Sequence, residues 1–106
     1  MIHVTYDGAY SLTMEGHAGQ ALIGHDIVCA GASMLICSLA KMLERHKKEC
    51  TFLDISVESG YGHISAQPSI AFAEGCRSAF ETALCGYEEL AHHYPSFIRL
   101  ERVRLE

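Results

Sequence analysis

The sequence predicts an α+β sandwich of order ββαββαβ, two helices packed on a mainly antiparallel sheet. Three observations carry this prediction. Two segments, 2–14 and 52–66, alternate apolar and polar residues about a turn; two others, 27–43 and 73–91, repeat apolar residues at three and four; and a last alternating stretch follows Pro95. No linker, low-complexity tract or strong repeat divides the 106 residues, so residues 1–106 form one domain.

Ile2, Val4 and Tyr6 alternate with polar neighbours, Asp7 and Gly8 supply a tight turn, and Tyr10, Leu12 and Met14 resume the alternation, giving a β-hairpin. The stretch 16–25 holds Gly16, Gly19 and Gly24 without a sustained period and is expected to be a flexible loop. Asp26 is a suitable N-cap for the helix that follows, in which Ile27, Val28, Leu35, Ile36, Leu39, Met42 and Leu43 keep helical spacing. Its first half is apolar nearly all round, which places it between the sheet and a further layer, either the second helix or a partner subunit. Phe52, Ile55 and Val57, the turn 59–62, and Ile64 and Ala66 form a second hairpin ended by Pro68 and Ser69. The second helix runs over 70–94 and stops before Pro95, with Gly75 and Gly86 weakening it locally; the stretch 97–105 is the last strand.

Apolar residues make up 49% of the chain and charged residues 20%, a heavy apolar load for so small a surface, so a homodimer is expected. The formal charge of −5 excludes a general nucleic-acid binder, since neutralising phosphates needs a basic stripe. The one basic cluster, 41–48, falls at a helix end, where cations complement the dipole. The N-terminal residues read as a strand and not as a signal peptide. The apolar run 27–40 is interrupted by Ser33 and Ser38 and is expected to be too short to span a bilayer. A cytoplasmic protein without a membrane partner follows. Five cysteines without a CxxC pair fit reduced thiols better than a zinc ribbon or a disulfide framework, and no cofactor motif is present.

With Asp26 as N-cap, Cys29 is the third helical residue, among free backbone N–H groups that favour a thiolate and can hold an oxyanion. A base within reach is supplied by His17, at the end of a hairpin strand, or by His25, just before the cap; His17 is preferred because a strand end holds an imidazole in register. Asp26 either caps the helix, the simpler role, or orients His17. Ser33, one turn after Cys29, shares its face and either bonds into the site or back to a helix carbonyl. Two other readings stay open: a zinc-type module in which His17, His25, Cys29 and Asp26 converge on a metal, and a non-catalytic dimeric adaptor.

The run Glu15-Gly16-His17-Ala18-Gly19, followed by Gly24-His25-Asp26-Ile27-Val28-Cys29-Ala30-Gly31-Ala32-Ser33, resembles the signature of the ribosomal-processing cysteine protease (Prp) family. The order of the remaining elements, including Tyr94-Pro95 before the last strand, is similar along the whole chain. The resemblance implies a small homodimeric bacterial cysteine endopeptidase that removes a short N-terminal extension from a large-subunit ribosomal protein precursor. It also implies Cys29 as nucleophile, His17 as base, Asp26 and Ser33 as supporting polar residues, and Gly16, Gly19 and Gly24 as the flexible cover. His25 has no counterpart in that signature.

Overall fold

The computed structural model describes residues 1–17 and 25–103, with the side chains of His25 and Asp26 outside the description. Five strands form one mixed sheet and two helices cover one of its faces, which is the predicted architecture. In chain order the elements are β1 (Ile2–Tyr6), β2 (Ser11–Glu15), α1 (His25–Arg45), β3 (Cys50–Glu58), β4 (Tyr61–Pro68), α2 (Ala73–His93) and β5 (Ile98–Arg102), with short 3-10 turns at Lys47–Glu49 and Ile70–Phe72. The strand order is β3-β4-β2-β1-β5, antiparallel throughout except for the parallel pair β1–β5.

The alternation read from the sequence is what buries one sheet face. Ile2, Val4, Tyr6, Leu12, Met14, Ile64 and Ala66 point under the helices. From above they meet Val28, Ala32, Ile36, Leu39 and Leu43 of α1 and Cys76, Phe80, Leu84 and Tyr87 of α2. The two helices also lock to each other: Leu35 occupies the space a side chain at Gly86 would fill, so the glycine expected to weaken α2 is a seat for α1. On length and composition α1 could cross a membrane, contrary to the reading of 27–40, yet its Val28–Ile36–Leu43 face is buried on the sheet. Ile27 and Met34 on the same helix stay exposed, at 60% and 67%.

Four local expectations are corrected. The first hairpin turns through four residues, because Asp7 Oδ1 accepts from the amides of Ala9 (2.7 Å) and Ser11 (3.0 Å) and so holds a wider loop. Tyr10 consequently leaves the strand, adopts φ +70° and packs its ring edge-on against Phe80. The second helix begins with a 3-10 turn, and the last strand is shorter than the alternation implied. Finally, α1 starts at His25, so Asp26 is its second residue and not the residue before it. Asp26 is the last strong capping residue before the apolar run, yet the backbone is already helical there.

Candidate active site

A cleft of about 180 Å³ opens where the end of β2, the first turns of α1 and the β3–β4 turn meet. His17, Cys29 and Ser33 all line it, with Ile2, Met14, Ala32 and Ile36 as its floor and Val57, Glu58, Ser59 and Gly60 as one wall. The end of β2 and the start of α1 therefore bring the predicted imidazole, thiol and hydroxyl to one place, beside the β3–β4 turn.

The sheet register explains how. Strand β2 pairs with β4, and the last pair, Glu15↔Tyr61, puts the β3–β4 turn beside the residues that follow β2. There the Gly16 amide donates to the Gly60 carbonyl over 2.9 Å. Gly16 has φ +101°, and a side chain on it would collide with the Met1 carbonyl oxygen. Expected as loop, Gly16 is the backbone hinge that turns the chain out of β2 so that His17 follows at once. The imidazole of His17 then lies over Gly60, itself at φ +75°. Gly19 and Gly24, the other expected loop glycines, lie outside the described residues.

Cys29 is partly buried against the core, as the fifth residue of α1. In the regular helical pattern its amide is engaged by the turn before it, so the N–H groups without an intrahelical acceptor include those of residues 25–27 and not that of Cys29 itself. Helical side chains lean toward the N-terminus, which inclines Cys29 over that turn. Ser33 is exposed one turn later, on the same cleft. The side chains of Asp26 and His25, in either proposed role, lie outside the described residues.

Two other thiols are shifted upward, Cys76 buried in the core and Cys50 half-buried like Cys29. Burial pushes Cys76 up to about 11 from its ordinary value of 9.0, and burial followed by the Glu49 carboxylate raises Cys50. Cys37 and Cys85 are exposed. His63 faces the other side of the sheet, bonded through Nδ1 to Thr13 Oγ1 at 2.8 Å; His92 and His93 are exposed in the last turn of α2. Among the described residues no group of three or more His, Cys, Asp or Glu side chains is arranged to hold a metal ion. The metal reading draws on His25 and Asp26, outside that description.

Sequence reasoning missed Glu58, Ser59 and Gly60. The Ser59-Gly60 turn was visible as a turn, but its proximity to His17 depends on β4 lying beside β2, a non-local pairing that no local pattern encodes.

A family model described as cysteine protease Prp matches residues 1–99. No curated protein sequence is significantly similar to the chain. Among solved structures, SMU.848 from Streptococcus mutans is 30% identical with a TM-score of 0.75, over 99% of this chain and 96% of that one. The essential ribosomal processing protease Prp from S. aureus, in complex with a covalently linked product peptide, is 25% identical with a TM-score of 0.72, over 95% of this chain and 96% of that one. The same S. aureus protease with a substrate peptide, at 24% identity and a TM-score of 0.73 over 95% and 96% of the two chains, shows likeness of fold.

Proposed function

The chain belongs to the cysteine protease Prp family, and from that membership we propose that it is a cytoplasmic cysteine endopeptidase that removes a short N-terminal extension from a large-subunit ribosomal protein precursor. The observation that carries this reading is the cleft shared by His17, Cys29 and Ser33. The S. aureus relative, a ribosomal processing protease captured with a covalently linked product peptide, supports the same chemistry.

In this mechanism the Cys29 sulfur, as thiolate, attacks the scissile carbonyl carbon, and the carbonyl electron pair moves onto oxygen. The first turn of α1 offers amides toward that oxyanion. As the tetrahedral species collapses, His17 gives a proton to the departing amine, which leaves as the N-terminus of the mature ribosomal protein. The extension remains as a thioester on Cys29. His17 then takes a proton from water, whose hydroxide attacks the thioester, and the freed thiolate is ready for a second cycle. Ser33, on the rim one turn away, hydrogen-bonds the substrate or the ring of His17. Asp26 lies in the first turn of α1, where a carboxylate complements the helix dipole.

A homodimer belongs to the same reading. Ile27 and Met34, seven residues apart on α1 and both exposed, support this as apolar surface for a second copy to cover.

The test is incubation of the precursor with wild-type, Cys29→Ala and His17→Ala protein, followed by mass spectrometry. Wild type releases the extension, Cys29→Ala releases none, and His17→Ala is slower by about 10²- to 10⁴-fold, the usual worth of a positioned base. Processing by Cys29→Ala at the wild-type rate overturns the reading.

A further inference from the structure

Resting on the protease reading, we propose that the outer edge of β3 is the docking strand for the substrate: an extended basic segment of the precursor adds to the sheet beside residues 52–58 and runs into the cleft at Val57 and Glu58. Strand β3 stands at the margin of the sheet and, among the described residues, pairs only with β4. After an irregularity between Cys50 and Phe52 its register is unbroken from Phe52↔Gln67 to Glu58↔Tyr61. About 20 Å of strand backbone therefore keeps its outward N–H and C=O groups unpaired. Such edges invite another strand and are normally blunted. Here the irregularity lies at the end away from the cleft, and the regular edge leads straight to it: Val57 and Glu58 line the same walls as His17 and Cys29.

Charge selects the occupant. Asp54 and Glu58 are exposed and, two pleats apart, lie on one face of the strand, with Phe52 on that face too. Their carboxylates oppose edge-to-edge pairing with a second copy of a chain whose net charge is −5. They favour a chain rich in lysine and arginine. A protein built to sit on ribosomal RNA has that composition, because phosphate binding needs cations. Strand addition gives affinity through the backbone and selectivity through alternate side chains, here Asp54 and Glu58 on one face and Val57 on the other. The opposite margin, β5, contributes no residue to the cleft.

The experiment uses a peptide of about 20 residues spanning the junction between extension and mature protein, long enough to cover the edge at strand spacing. Hydrogen exchange of the Cys29→Ala protein is followed residue by residue with and without this peptide. Alternate amides within 52–58 should slow by about tenfold or more, the worth of one hydrogen bond. In parallel, wild-type kcat/KM is measured for peptides N-methylated at one backbone position each. Losses of about tenfold should recur at every second substrate residue. Asp54→Lys should weaken peptide binding to the Cys29→Ala protein, and more so at low salt. Cleavage of the unmodified peptide without protection of β3, or with N-methyl losses confined to the scissile bond, overturns strand docking and leaves the protease reading standing. Protection of β3 by a peptide that wild type never cleaves does the reverse, keeping the docking edge and removing the protease.

Discussion

The imidazole of His17 occupies the space in which a side chain at residue 60 would stand: its Nε2 is 2.7 Å from the Cβ position of Gly60. A methyl group there has to displace the ring, and it also sits on a backbone with φ +75°. Gly60→Ala is therefore expected to lower kcat/KM by about 10- to 100-fold through misplacement of the base. The positive φ costs about 1 kcal/mol of stability in addition. Steady-state cleavage and urea denaturation, run on the same preparation, check both; unchanged kcat/KM would detach the position of the ring from catalysis.

A second position, on α2, acts on α1. The buried Tyr87 hydroxyl donates to the Ala32 carbonyl over 2.9 Å and contacts Met14 Sδ, and both of those residues line the cleft. Burial holds this phenol well above the ordinary tyrosine value, so it remains a donor across the physiological range. Tyr87→Phe is expected to cost about 1 to 2 kcal/mol, since a buried hydrogen bond is lost while the carbonyl keeps its helical partner. A urea midpoint unchanged by the substitution would show that the bond contributes nothing.

Thiol accessibility separates the cysteines into classes. Cys76 is fully buried and its thiol is pushed up to about 11, while Cys50 is raised by burial and then by Glu49. Iodoacetamide at neutral pH should leave Cys76 unmodified in native protein, modify the half-buried Cys50 slowly, and reach Cys37 and Cys85, which are exposed. The sequence alone gave no such split among the four cysteines other than Cys29, so mapping of Cys29 reactivity requires the Cys37→Ser, Cys85→Ser background. Equal labelling of all sites before denaturation would contradict the packing around Cys76.

Stability should fall at alkaline pH. Burial, then Glu81 and Asp7, pushes Tyr6 up to about 12 from 10.0, and Cys76 moves from 9.0 to about 11. A raised pKa means that the unfolded chain gives up its proton first. The stabilisation is thus whole below pH 9 and is lost progressively between about 9 and 12. The Tyr6 hydroxyl is also buried without a partner among the described residues. Tyr6→Phe should therefore be neutral or slightly stabilising at pH 7 and should flatten the decline above pH 10. Denaturant midpoints at pH 7, 9 and 11 measure this; an equally steep decline in the variant would assign the effect elsewhere.

The elements were legible because their signals are local. Ile2, Val4 and Tyr6 alternate in sequence and face one way in the sheet, and Phe80, Leu84 and Tyr87 repeat at helical spacing and share the buried side of α2. His17, Cys29 and Ser33 were likewise found through residue type and motif. What escaped was non-local. The approach of Gly60 to His17 follows from strand order, and the seat of Leu35 on Gly86 follows from helix packing; neither leaves a periodic trace. The start of α1 escaped for another reason: Asp26 is a strong capping residue, and a carboxylate is also favoured inside a first turn, so composition does not distinguish the two positions.

The claim on which the account turns is that the sulfur of Cys29 carries the extension between the two half-reactions. Rapid acid quench of wild-type protein mixed with the precursor, followed by digestion and mass spectrometry, tests it directly. The account predicts a transient thioester that adds the acyl mass of the extension to the peptide containing Cys29, and its absence in Cys29→Ala. Turnover at full rate with no adduct at Cys29, or with the adduct on another residue, would contradict it.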